Sequence, residues 1–142
     1  GSGIPDGLPD GTVGVWASIE AETAAMDEGE ARELLAEFGV EEPGLGQVIA
    51  ASYRALDLVT FLTTGEDETR GWEVRRGATA QEAAGVIHTD LSRGFIRAEV
   101  ESYEDLVTAG GWDAAKTKGL LRVEGKDYLV QEGDVLHVRF NV

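Results

Sequence analysis

Between Thr79 and Val100 the sequence changes period, and that change limits the fold more than any other stretch. Ala80, Ala83, Ala84 and Ile87 recur at helical spacing. Thr79, followed three residues later by Glu82, makes the capping box that starts such a helix. The run Gly85-Val-Ile-His-Thr-Asp-Leu-Ser-Arg-Gly-Phe-Ile-Arg-Ala-Glu-Val100 then passes through the turn residues Asp90, Ser92 and Gly94. Beyond them Ile96, Ala98 and Val100 alternate with Arg97, Glu99 and Glu101, as in a strand with one dry and one wet face. A short helix delivering into a half-buried strand is the mark of a small mixed domain.

The 142 residues suffice for one ordinary domain, or a small domain with an appendage, without disulfide staples. There are no cysteines, which removes thiol chemistry and fits a reducing cytosol. No run approaches the roughly 18 consecutive apolar residues of a spanning helix, and Gly1-Ser2-Gly3 lacks the basic and apolar regions of a signal peptide. A soluble, cytoplasmic protein with no membrane partner is expected. The net charge of −15 is uneven. Up to Leu58 two basic residues, Arg32 and Arg54, stand against twelve acidic ones, a net of −10; from Val59 onward ten stand against fifteen, a net of −5. The first part repels polyanions, whereas the second can still assemble local basic patches.

Taken in order, Ile4-Pro-Asp-Gly-Leu-Pro-Asp-Gly11 reads as a loop. Thr12 to Ala17 is an apolar run suited to a short buried strand, whose naked edge would favour self-association. Asp27 with Glu30 offers a cap for a helix carrying Ala31, Leu34, Leu35 and Phe38, ended by Gly39. After a Pro/Gly turn, Val48, Ile49, Ser52, Tyr53 and Leu56 mark a second helix, so the two form a helical hairpin. From Leu58 strands begin: Leu58–Thr63 and Thr69–Val74 flank the turn Gly65-Glu-Asp-Glu68. Tyr103–Ala109 and Trp112–Lys118 are helical turns around Gly110-Gly111. Tyr128–Val130 and Val135–Phe140 close the chain as strands, with Leu136, Val138, Phe140 and Val142 on one face and His137 and Arg139 on the other.

Three segments, Gly85–Val100, Arg122-Val-Glu-Gly-Lys-Asp-Tyr128 and Asp134-Val-Leu-His-Val-Arg-Phe-Asn-Val142, resemble the C-terminal part of the YchF/Obg-like ATPases, which ends in a TGS domain. The resemblance runs from about Trp16 to Val142. It implies an α+β chain: a β-grasp, ubiquitin-like TGS domain over 58–142, preceded over 1–57 by a remnant of the nucleotide-binding domain whose apolar faces lack their natural cover. Trp16-Ala-Ser-Ile-Glu20 is similar to the family's Ser/Cys-Ala-x-x-Glu base loop, with Trp16 departing from the first position. Ala17 and Ser18 are the nucleotide-base positions that the resemblance leaves in this chain. ATP and Mg2+ belong to the full-length family, and no cofactor is expected for this chain.

No Gly-x-x-x-x-Gly-Lys-[Ser/Thr] occurs in the sequence, and the family's Asn-x-x-Glu motif is replaced by the Pro/Gly loop, so ATP hydrolysis by this chain alone is not expected. His88-Thr89-Asp90 is a polar turn rather than an acid–base pair, since no nucleophile accompanies it. His88 and His137 would need a third ligand to hold a metal, and Glu20 and Glu22 read as solvated carboxylates. The basic residues carry more promise. Arg70, Arg75 and Arg76 lie on or just after the second strand, and Arg93 and Arg97 flank the turn of the opening stretch. If those strands are neighbours, they assemble a phosphate-reading cluster that His137 and Arg139 extend. The alternative is ordinary pairing with Glu73, Glu99 and Glu101.

Two functions of different class follow. One is a regulatory module that contacts ribosome or RNA for a YchF-like ATPase whose hydrolytic domain lies elsewhere. The other is a protein-interaction or ligand-sensing β-grasp module that docks on its own ATPase domain or on a partner.

Overall fold

The computed structural model describes residues 7–40, 43–65 and 68–141. They divide into two compact units, Gly1–Leu56 and Asp57–Val142.

The first unit is helical: α1 Ala17–Thr23, α2 Glu28–Glu37 and α3 Gly44–Ala55. The strand expected over Thr12–Ala17 does not form; residues 12–16 are irregular and Ala17 opens α1. The reason lies in Glu20. One oxygen of its carboxylate accepts the Trp16 N–H at 3.2 Å and the other accepts the Gly44 N–H at 2.7 Å. A single carboxylate thus satisfies an orphan donor at the start of α1 and another at the start of α3. Glu20 is therefore a structural cap and not a merely solvated group. Gly44 is held so close that a Cβ there would stand 2.6 Å from a Val15 methyl, so the expected Pro/Gly turn is instead the first turn of α3. The helices expected to make a hairpin are present, but the packed pair in this unit is α1 with α2. Without a strand at Thr12–Ala17, the argument for self-association through its edge falls away. Asp27 caps α2 through the Gly29 N–H at 2.9 Å, and Gly39, at φ 74°, ends the helix region as expected.

The second unit is a five-stranded sheet in the order β2-β1-β5-β3-β4, with β1 Leu58–Thr64, β2 Thr69–Arg75, β3 Phe95–Ser102, β4 Arg122–Glu124 and β5 Asp134–Phe140. The first two strands are an antiparallel hairpin, and β5 enters the middle of the sheet, parallel to β1 and antiparallel to β3. Helix α4, Ala80–Ile87, starts on the expected capping box: Thr79 and Glu82 bond each other's backbone. Ala80, Ala83 and Ala84 are buried, and Ala83 packs with Val59, Phe61, Val74, Ala98, Val100 and Leu136. A hairpin, a helix across its face and a central returning strand make the β-grasp plan, TGS-like in outline.

Helix α5, Thr89–Arg93, carries the chain into β3, and α6, Tyr103–Ala109, with α7, Trp112–Thr117, lies on the opposite face of the sheet. There Leu106 and Ala115 bury Val135. This second cover changes the wet–dry pattern of β3. Glu101 is only 6% exposed because its end of the strand lies under α6. At the other end Ile96, expected dry, is 56% exposed: the register shifts between Phe95 and Arg97, one extra residue bulges out, and Phe95 packs on the core instead. Tyr128–Val130 is not a ladder strand. Leu129 makes one isolated bridge to Thr79, while Arg122–Glu124, not expected as a strand, pairs with β3. Phe140 is exposed, and Val142 lies outside the described residues, as do Glu66 and Asp67 of the hairpin turn and residues 4–6 of the opening loop.

Candidate nucleic-acid interface

The strand order decides which arginines can act together. Arg70 and Arg75 sit on the edge strand β2, separated from Arg97 on β3 by the two strands β1 and β5, so the cluster expected from neighbouring strands does not form. Arg70 stacks over the Trp72 ring at 4.3 Å. Arg75 and Arg76 line a groove with Leu58, Glu73 and Glu82, where Arg76 pairs with Asp57 at 3.2 Å. Arg93 is spent locally on Asp90 at 2.7 Å. The His88 ring caps α5 by accepting the Asp90 N–H at 3.2 Å, a structural role.

Arg97 and Arg139, by contrast, are direct partners in the β3–β5 ladder and so share one face. That is the face on which α6 and α7 lie, with His137 two residues before Arg139. Arg139 bonds Glu99 at 3.1 Å, whereas Arg97 is exposed and makes no hydrogen bond or ion pair with the described residues. Lys116 of α7 completes the group, close enough for its charge to act on both Glu99 and His137. Burial pushes the Glu99 carboxyl up, but the Arg139 hydrogen bond and the charges of Arg139, His137 and Lys116 outweigh it and hold Glu99 below the usual range. His137 is pushed below its ordinary value first by burial, then by Arg139 and Lys116, against the pull of Glu99. Arg97, Arg139 and Lys116 beside the Glu99 carboxylate leave a positive surplus on a strongly acidic chain. Sequence reading missed Lys116; its signal was a basic residue four positions after Trp112 on a helix whose Ala115 faces the sheet.

A second cluster is structural. The buried Asp134 carboxylate accepts the Tyr128 hydroxyl and the Gln131 N–H, each at 2.8 Å, and Arg122 reaches it at 3.4 Å while lying over the Tyr128 ring. Burial and the bond to Asp134 raise the Tyr128 hydroxyl above its ordinary value, against the opposing effect of Arg122.

Residues 58–141 match the family model for the C-terminal domain of YchF GTPases (YchF-GTPase_C, a protein of unknown function, DUF933). The chain belongs to the YchF family. The chain is 55% identical over 130 residues to the ribosome-binding ATPase YchF of Haemophilus influenzae, covering 92% of this chain and 36% of that protein. It is 52% identical over 128 residues to the YchF of Bacillus subtilis, covering 90% and 35%. It thus spans about a third of the length of the curated relatives it matches. The structure of the Schizosaccharomyces pombe YchF GTPase superposes with a TM-score of 0.79 at 34% identity, over 88% of this chain and 33% of that one. Within this YchF chain the Arg122–Tyr128–Asp134 network joins two of the three segments that carried the resemblance. The third is joined by contact: the Gly94 carbonyl accepts the Asn141 N–H, and a Cβ on Gly94 would collide with the Asn141 carbonyl.

Ala17 and Ser18, the expected base-loop positions, are exposed at the start of α1. They bring backbone and two small side chains and nothing that holds phosphate. Among the described residues no group of three His, Asp or Glu could hold a metal ion, and no helix is long and apolar enough to cross a membrane.

Proposed function

We propose that this chain is the regulatory, ribosome- or RNA-contacting TGS module of a YchF-like ATPase, with hydrolysis carried out by a nucleotide domain that this chain does not itself provide. The observation that carries the reading is the Arg97–Arg139 pair, set on one face beside Lys116 and His137. Such a face suits phosphate contacts, which position a protein on RNA without reading its sequence. The name of the Haemophilus relative, a ribosome-binding ATPase, points the same way. Arg70, Arg75, Arg76 and Arg93 are flanking contacts in this reading, weakened by their local partners.

The test is co-sedimentation of the purified chain with ribosomes across a salt series. Binding is expected at low salt and falls steeply as salt rises; Arg97→Glu with Arg139→Glu abolishes it and Arg93→Glu changes it little. Salt-insensitive binding that survives the double reversal would instead favour docking on a protein partner. The exposed Leu45, Val48, Ile49 and Leu56 on and just beyond α3 are the surface that reading would use. Steady release of phosphate from ATP by the pure chain would contradict the division of labour proposed here.

A further inference from the structure

We propose that the groove between the end of β1, at Thr64 and Gly65, and the α6–α7 corner takes an unpaired RNA base, stacked on Trp112 beside His137; this rests on the ribosome or RNA reading above and names the part of the ligand that the site holds. The groove is lined by Gly65, Gly110, Gly111, Trp112, Asp113 and His137. Its floor is aromatic: the Trp112 and His137 rings lie 5.7 Å apart between centroids, inclined at 56°. That spacing is too small to sandwich a base, so the base stacks on one ring and meets the edge of the other. Stacking of this kind accepts any base, because every base has a π face. The Trp112 indole N–H has no acceptor among the described residues and remains available to a base edge.

The wall is kept low by the two glycines. Gly110 and Gly111 hold φ of 95° and 113°, which side-chain-bearing residues rarely adopt, and a Cβ on either would project into open space. A flat ligand can therefore slide in over the corner. The rim is cationic where a backbone would run: Lys116 lies one helical turn beyond Trp112, and Arg139 follows His137 on the same face of β5. Among the described lining residues Asp113 is the one acidic group. Aromatic floor and basic rim together fit single-stranded RNA, whose bases are splayed out, better than a duplex. Burial and the neighbouring cations keep His137 neutral near pH 7, so the base meets an uncharged ring edge.

The experiment is an NMR titration of the full labelled chain with a mixed-sequence single-stranded RNA hexanucleotide, an abasic hexamer of the same backbone, and AMP. The expected result is that the hexanucleotide moves the Trp112 indole N–H and the Gly110 and Gly111 amides. The abasic strand binds at least about fivefold more weakly and leaves the indole in place, and AMP binds more weakly than the hexanucleotide. Trp112→Ala should weaken the hexanucleotide by about five- to 150-fold, the loss of one stacked base. Because Trp112 also packs on the sheet, Ala114→Glu, which adds a negative charge to the same groove at a half-buried position, serves as the second variant and should weaken binding without altering the spectrum of the β1–β2 hairpin. Equal affinity for the abasic strand, AMP binding as tight as the hexanucleotide, or full binding by Ala114→Glu would overturn the proposal. If ribosomes still pellet the chain with steep salt dependence while the indole never moves, this inference fails and the ribosome reading stands. If neither ribosome nor hexanucleotide binds at low salt, both fail.

Discussion

Replacing Asp134 by Ala should be the most costly polar substitution in the second unit. Its carboxylate is 3% exposed and accepts two hydrogen bonds of 2.8 Å, from the Tyr128 hydroxyl and the Gln131 N–H. Bonds to a charged acceptor are worth about 1.5–3 kcal/mol each, and their loss leaves both donors poorly solvated. The Arg122 contact, at 3.4 Å and with Arg122 half exposed, adds little. The sum is about 3–6 kcal/mol. Tyr128→Phe removes one of the bonds and leaves the carboxylate its other partners, so about 1–2 kcal/mol is expected. In a double-mutant cycle the pair should couple by about 1–2 kcal/mol, since the second substitution finds the bond already gone. Urea unfolding followed through the indole signals of Trp72 and Trp112, both in the second unit, measures all four corners. An Asp134→Ala cost below about 1 kcal/mol, or simple additivity with Tyr128→Phe, would refute the view that this network ties the segments together.

Three further outcomes follow from the same geometry. Gly94→Ala forces a methyl against the Asn141 carbonyl and should destabilise by about 1–3 kcal/mol of overpacking, measured by the same unfolding series. Glu99→Gln frees Arg139 and removes the one carboxylate among the cations, so ribosome or RNA binding should tighten severalfold and its log–log salt slope steepen; weaker binding would contradict the phosphate-contact reading. His137 titrates below its ordinary value of 6.5 in the folded chain, so between those two values the unfolded chain holds more protons. Stability should therefore decline as pH falls through 6.5 toward the folded value. His137→Gln should flatten that slope, as pH-dependent unfolding with an NMR titration of His137 would register.

Where local rules and tertiary contacts agree, the sequence was readable. The Thr79–Glu82 box, the β1–β2 hairpin and the corner at Gly110-Gly111 all form where spacing and turn chemistry put them. Alternation along β3 failed at both ends for two different reasons, a bulge at Ile96 and a covering helix over Glu101, and neither leaves a mark in a one-strand pattern. Thr12–Ala17 has the composition of a strand but no strand to pair with among the described residues of its unit, and Glu20, read as solvated, decides the local structure by capping two helices. The arginines could be seen but not grouped: which of them meet depends on β5 entering between β1 and β3, a long-range fact that leaves only Arg97 of the expected cluster beside Arg139. Asp134 fell just outside the strand expected over Val135–Phe140, and its role stayed hidden because its partners Tyr128 and Arg122 come together only in the folded unit.

The most direct test of the proposed ribosome-contacting surface is site-specific photocross-linking on intact ribosomes. Val123 is exposed and directly opposite Glu99 in the β3–β4 ladder, on the same face as Arg139, and a photoreactive residue there samples whatever covers that face. The account predicts RNA adducts from Val123 at low salt, lost with Arg97→Glu and Arg139→Glu, and none from a probe at Leu45 on α3. Adducts to RNA from Leu45 alone, or only protein adducts from Val123, would contradict it.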